Sequence, residues 1–484
     1  MLTRLRIKGF KSLWDVDVHF GPFTCIAGPN AVGKSNLFDA IQFLSHLASD
    51  TFLNAALSVR AQSDLTGNAR DLFHRWKDQY EKRIFMSAEM IIPCEGKDGL
   101  GQTATASITF VRYELELEFS ESSGTSGLGM IRLISEILEP IPKGNAAKLL
   151  RFPHNATKWR NCVVVGKGRR VPFISTDLQN GEIELHQERG GQPRRFKSES
   201  LPRTVLSTVN AMESPTSLLV KREMESWRLL QLEPSALRHP DNFLTPPGLD
   251  ANGAHLPATL FALSHQYGAD RNIYEHVAGR LSSLINDVIS ITIDKDDRRQ
   301  LLVLQLLNRD GTLHEARSLS DGTLRFLALA TMAEDPAALG VICMEEPENG
   351  IQPSRIPAIL NLLEAIACDP QEPPGEDNPL RQVIINTHSP SVVKQINEDC
   401  LLIASTEQHL VGGQRFDATA FKWLSNTWRQ SIEPSARPVA KGKLLSYLVT
   451  AAPSEKPQAG KSDNVKRRVI DRPEIRQLAL EVEV

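Results

Sequence analysis

The sequence predicts an α/β fold in which a strand, a glycine-rich loop and a helix near the N-terminus are completed by a second α/β stretch far along the chain. Three observations predict it. Phe23-Thr24-Cys25-Ile26-Ala27 reads as a short buried strand, a glycine-rich loop follows from Gly28 to Ser35, and residues 34–47 carry the apolar spacing of an amphipathic helix. Far downstream, the apolar run 339–344 ends in Glu345-Glu346-Pro347-Glu348, as a buried strand does when it delivers carboxylates to a sheet edge. A further apolar strand over 382–386 ends in Asn386-Thr387-His388-Ser389, and helical patterns at 322–334 and 353–367 flank these strands.

The elements follow in order. Leu5 and Ile7 alternate with Arg4, Arg6 and Lys8, and Val16, Val18 and Phe20 with Asp15, Asp17 and His19, so 1–27 reads as strands with a turn at Gly21-Pro22. Residues 84–120 read as strands again, with Tyr113, Leu115, Leu117 and Phe119 alternating against glutamates; a Gly/Ser turn occupies 121–129. Short strands and loops are expected over 130–215, a helix over about 215–232, a Pro/Gly/Asn-rich loop over 236–258, helices within 257–289, and strands at 290–294 and 301–307. The Pro, Lys, Ser and Asp rich stretch 453–472 is expected to be a flexible linker.

Composition bounds the class. The chain has 484 residues, 41% hydrophobic and 23% charged, with a formal net charge of -3. That excludes a surface that is nucleic-acid-binding throughout but leaves room for local basic patches. Two such clusters stand out, Lys167-Arg169-Arg170 and Arg194-Arg195-Lys197, which could contact DNA or could be solvated hairpin loops. The six cysteines form no C-x-x-C pair, and Cys25 and Cys343 sit in apolar runs as core residues. Neither a leader-like apolar start nor a membrane-spanning stretch is present, so a cytoplasmic protein without membrane contact is expected.

Four motifs carry chemistry. Gly28-Pro29-Asn30-Ala31-Val32-Gly33-Lys34-Ser35 fits G-x-x-x-x-G-K-[ST] between a strand and a helix. Its glycines let backbone N–H groups turn toward phosphate oxygens, and the helix start adds its positive end. Lys34 is expected to reach the β- and γ-phosphates and Ser35 to ligate Mg²⁺. Glu345 is placed to hold Mg²⁺ through water, and Glu346 to polarise the attacking water. Ser318-Leu319-Ser320-Asp321-Gly322-Thr323 precedes a helix, 26 residues before Glu346; Ser320 could cap that helix and could also offer groups to a phosphate. His388 lies 42 residues after Glu346 at the end of the next strand, suited to a γ-phosphate contact.

In this order the motifs resemble those of the ATP-binding cassette (ABC) superfamily of P-loop NTPases. Gly28 to Asn36 resembles Walker A, and Leu319 to Thr323 the signature motif, with Asp321 where transporters carry glycine. Glu345-Glu346-Pro347 resembles Walker B, Asn349 to Pro353 the D-loop, and His388 the switch histidine. Glu345 in place of aspartate, the opening Leu5-Arg6-Ile7-Lys8-Gly9-Phe10-Lys11-Ser12 and the 284 residues between Ser35 and Ser320 are similar to the RecF-like, SMC-like and OLD-type branch. Arg228 to Arg238 and Leu256-Pro257-Ala258 are similar to bacterial AAA family ATPases of that branch. ATPase subunits of anti-phage systems such as Septu and PARIS are similar too.

The resemblance implies a split ATPase head with β-rich and helical insertions. Its expected parts are 1–80 (Walker A), 81–215 (β-rich), 216–310 (helical, returning to the head), 311–450 (signature, Walker B, switch histidine) and 451–484 (tail). It implies ATP and Mg²⁺ as ligands, held by Asn30, Gly33, Lys34, Ser35, Asn36, Glu345, Ser320 and Gly322, with Glu346 and His388 catalytic. It implies a homodimer or higher oligomer in which Ser320 of one copy covers the ATP of the other. An anti-phage role with a partner effector nuclease is expected, a RecF-like repair role is the alternative, and a transport motor is not. OLD-type nucleases carry Glu-Gly and Asp-x-Asp acids in a C-terminal domain. No such set is evident after His388, so no nuclease site is expected in this chain.

Overall fold

The computed structural model describes residues 1–59, 68–77, 79–121, 129–166, 169, 171–188, 190–267, 272–282, 288–411, 413–432 and 438–442. These belong to one compact unit, Met1–Leu448; a second unit, Val449–Val484, lies outside the described residues, and with it the expected linker at 453–472. Lys167, Arg170 and most of the turn expected at 121–129 also fall outside.

Two sheets organise the chain. The first is antiparallel, with eight strands: β1 (Leu2–Phe10), β2 (Leu13–His19), β4 (Arg83–Ile91), β5 (Phe110–Ser120), β6 (Met130–Pro140), β7 (Ile174–Asp177), β8 (Glu182–Leu185) and β9 (Arg194–Lys197), in the spatial order β9-β8-β7-β6-β5-β4-β1-β2. The second contains β3 (Phe23–Ala27), β10 (Arg228–Leu230), β13 (Gly340–Glu345), β14 (Arg381–Thr387), β15 (Leu401–Val411) and β16 (Gln414–Lys422), in the order β10-β13-β14-β3-β15-β16. All neighbours in this second sheet are parallel except the β15–β16 hairpin. The expected division at residue 80 falls between strands of the antiparallel sheet.

The parallel sheet is covered on both faces, which is why its strands read as continuous apolar runs. Ile26, Cys343, Ile384 and Leu402 face a core shared with helix α1 (Lys34–Leu47) and the antiparallel sheet. Cys25, Ile342, Met344, Ile385 and Ile403 point the other way, against α3 (Leu256–Tyr267), α4 (Ile273–Ser282), α5 (Asp321–Glu334) and α6 (Ile356–Ile366). The strands expected at 290–294 and 301–307 are β11 (Val288–Asp296) and β12 (Leu301–Asn308), an antiparallel pair beside α3 and α4.

One expected element differs in the structure. The helix expected over 215–232 is α2 (Pro215–Glu225), and β10 follows it as an edge strand parallel to β13. Trp227 is drawn into the core, its indole donating to Glu223 at 3.1 Å and its carbonyl accepting from Ser45 at 2.9 Å, so the backbone leaves the helix there. The β15–β16 hairpin was not anticipated; it supplies two of the six strands of the parallel sheet. Four of the six cysteines, among them Cys25 and Cys343, are at least half-buried, and all six are free.

Candidate nucleotide site

The loop after β3 is built by close approach. Gly28 packs against β15, where a Cβ would meet the Ala404 carbonyl at 2.6 Å. Gly33 has φ 93°, and its Cβ would lie 2.2 Å from Thr419 Oγ1 and 2.3 Å from Ser12 Oγ, so glycine is required twice over. Those two hydroxyls meet each other at 2.6 Å. Thr419 also donates to Val32 O at 2.8 Å, and Asn36 Nδ2 donates to Ser12 Oγ at 2.7 Å. The β16 strand and the β1–β2 turn therefore buttress the loop from outside.

Helix α1 follows Gly33 without a side-chain cap; Asn36 N donates back to Gly33 O at 3.1 Å, and no side chain caps the Lys34 and Ser35 N–H groups. By contrast, Ser320 caps α5, accepting from Thr323 N at 3.3 Å. Lys34 is buried as a residue, and its ammonium donates to Gly28 O at 2.8 Å and Pro29 O at 2.7 Å. Burial pulls its pKa below the usual lysine range, against the opposing pull of Glu346, Glu345 and Glu348.

The acids arrive from β13. Glu345 is its last residue, opposite Asn386 on β14, whose Nδ2 donates to Glu345 at 3.4 Å. Glu346 turns out of the strand with φ 43°, a strained backbone for a non-glycine residue, held by its N–H donating to Asn386 O and Oδ1, both at 3.1 Å. One Glu346 oxygen accepts from His388 Nδ1 at 2.6 Å, and the other from Asn349 Nδ2 at 2.7 Å. Glu348 lies just behind, mostly buried and bonded to the Thr387 hydroxyl; burial raises its pKa.

Asn30, Gly33, Lys34, Ser35, Asn36, Glu345, Glu346, Asn349 and Asn386 line one cavity of about 520 Å³, with His388 against Glu346 at its edge. Its donors suit a polyanion with a hard cation. The Lys34 and Ser35 N–H groups and a lysine stand on one side, and the Ser35 hydroxyl and Glu345 carboxylate offer oxygen ligands of the kind Mg²⁺ takes. Ser320 and Gly322 are not in this cavity. They line a separate one of about 300 Å³ with Phe326, Gly350, Ile351, Gln352 and Arg355. A larger cavity, about 1060 Å³, opens where β3, β14 and β15 begin, the opposite end of the sheet, and holds none of these motifs.

Of the basic clusters, Arg194 pairs with Glu213 and Arg195 with Glu184, each at 2.9 Å, and Arg169 lies over the Phe173 ring at 4.5 Å. Ser12, Thr419 and Asn386 are the contributors that sequence reasoning missed. Ser12 and Asn386 lie within strings noted for other residues, whereas nothing in the sequence around Thr419 points to the loop.

Comparison with known proteins agrees with this geometry. Residues 4–51 match the family model described as "AAA domain", and residues 221–394 match "AAA domain, putative AbiEii toxin, Type IV TA system". A curated "OLD nuclease" from Thermus scotoductus is 46% identical over 102 residues, which is 20% of this chain and 19% of that protein, so the match spans about a fifth of the relative's length. Among solved structures, an SMC head bound to the C-winged helix domain of ScpA covers 88% of this chain and is covered over 98% of its own, at 13% identity and TM-score 0.45. For the SMC head domain from Thermotoga maritima the coverages are 88% and 99%, at 12% identity and TM-score 0.36. For an SMC head with an extended coiled coil, bound to a ScpA domain derived from Pyrococcus furiosus, they are 86% and 96%, at 12% identity and TM-score 0.43. With those scores below 0.5, the fold assignment rests on the sheet order and the loop. The loop between β3 and α1, the parallel sheet that carries it and the two partial AAA-domain matches together support a P-loop NTPase fold. Among the described residues, no helix is long and apolar enough to cross a membrane.

Proposed function

We propose that the chain binds ATP with Mg²⁺ and hydrolyses it in a head-to-head dimer. The observation that carries this reading is the division of the motifs. The loop, both acids and, through Glu346, His388 converge on one cavity, while Ser320 and Gly322 line another on the same chain. A second copy would bring its Ser320 and Gly322 over the first cavity, and the converse, as a two-fold interface requires.

In this reading Lys34, Asn30, Gly33 and Asn36 hold the phosphates, and Ser35 and Glu345 hold Mg²⁺, which supplies charge neutralisation on the phosphate oxygens. Glu346 accepts the proton of the attacking water, and His388 orients it and faces the γ-phosphate. Residues 1–80 and 311–450 form the two main parts of the head, with 81–215 as a β-rich insertion and 216–310 as a helical insertion that returns to the head through β10. The role we propose is cytoplasmic anti-phage defence with a partner effector, supported by the description of the 221–394 family model as a toxin of a type IV system and by the OLD nuclease match. The ion pairs of Arg194 and Arg195 weigh against DNA contact through that hairpin.

The test is ATP turnover by the purified chain beside Lys34→Ala. Turnover in the wild type with loss of nucleotide binding in the variant is expected; equal turnover in both would remove the loop from the mechanism.

A further inference from the structure

Asp321 places a carboxylate in the very segment that the proposed reading aims at a phosphate. It occupies the first turn of α5, directly after the Ser320 cap, where the helix end favours an anion. A lone carboxylate there competes with phosphate for the same field. Arg238 meets it. Its Nη2 donates to Asp321 Oδ1 at 2.5 Å and to Leu319 O at 3.0 Å, so one guanidinium bridges the residues on either side of Ser320.

The arginine is held from behind. Leu237 is fully buried, and Glu233 N donates to Asn252 O at 2.8 Å, which fixes the Pro234–Leu237 turn. The pair itself stays in solvent, Arg238 30% and Asp321 59% exposed. An ion pair at that exposure contributes little to stability, whereas a guanidinium presented beside a helix start is well shaped for a phosphate. Arg325, the next cation on α5, is directed elsewhere, to Asn349 O at 2.7 Å.

We propose that Arg238 is a further phosphate-binding residue of the composite site, with Asp321 as its positioning residue. Asp321 holds the guanidinium beside Ser320 in the free chain, and in the dimer both are presented to the γ-phosphate of ATP on the second copy. The inference rests on the reading that Ser320 faces that nucleotide.

The experiment is complementation between variants, read as Mg-ATP turnover, with ATP binding and thermal midpoint followed for each protein. Arg238→Ala alone should bind ATP through its own loop and turn over on the order of 10²-fold more slowly or worse. Mixed with an equal amount of Lys34→Ala, it should recover up to about a quarter of wild-type turnover, because half the dimers are mixed and each mixed dimer has one complete site. Ser320→Ala mixed with Lys34→Ala should recover likewise. Arg238→Ala/Asp321→Asn should stay inactive, since the cation is still missing.

Wild-type turnover by Arg238→Ala, or recovery in Arg238→Ala/Asp321→Asn, would overturn the inference, the latter by reducing Arg238 to a neutraliser of Asp321. Recovery with Ser320→Ala but not Arg238→Ala would overturn it and leave the composite site standing. Recovery with neither would overturn both. Arg238→Gln repeats the test if Arg238→Ala has a lowered thermal midpoint.

Discussion

Glu346 and His388 lie 2.6 Å apart, Oε1 to Nδ1, just past the ends of the adjacent parallel strands β13 and β14. The other Glu346 oxygen is taken by Asn349, and its N–H groups with Asn386. The carboxylate is therefore held in a set direction by protein groups.

That arrangement predicts a separation of binding from turnover. Glu346→Gln keeps the shape and the Asn349 contact but cannot accept a proton. ATP affinity should be unchanged while turnover falls by about 10²–10⁴. Single-turnover hydrolysis at the wild-type rate would exclude Glu346 as the base.

The buttress behind the loop predicts a second effect. Thr419→Val removes the hydroxyl that bonds Val32 O and Ser12 Oγ while keeping the volume. A buried hydrogen-bond loss of this kind costs about 1–3 kcal/mol of folding stability, so the thermal midpoint should fall by a few degrees, and a loop held by this bond should bind ATP more weakly. Calorimetric titration of ATP checks this, and wild-type affinity would show that the loop does not depend on β16.

A third prediction concerns pH. Glu136 is fully buried on β6, accepting from Val205 N at 2.7 Å, Leu206 N at 2.9 Å and Tyr113 OH at 3.1 Å. Burial pushes its pKa up to about 7 despite those donors. Between the unfolded carboxylate range and pH 7 the folded state then holds the extra proton, so stability falls as pH rises through that window and levels off above it. The loss is on the order of 3 kcal/mol. Glu136→Gln should remove this slope: the wild-type midpoint minus the variant's should fall from pH 5 to 7.5. A constant difference would contradict the assignment.

How much of this was legible depends on how far apart the partners lie. The loop, both acids and His388 were readable as candidates because each sits in one contiguous string, and the structure brings them to one cavity. Strands β3, β13 and β14 were readable because double burial makes them unbroken apolar runs. Thr419 lies 407 residues from Ser12 and Asn386 40 from Glu346, and nothing local marks either as a partner. Strand β10 was hidden because its three residues continue an apolar helical pattern, and only the edge of β13 makes them a strand. On β15, the outer half is half-exposed and polar, so the hairpin lacks the signal of its buried neighbours.

In the proposed dimer each chain holds half of two sites, and the mass of Glu346→Gln in solution with and without Mg-ATP tests this most directly. A dimer that forms only with ATP, and not when Lys34→Ala or Ser320→Arg is added to the same chain, is the expected result. A mass that ignores ATP, or an ATP-dependent dimer that survives Ser320→Arg, would contradict it.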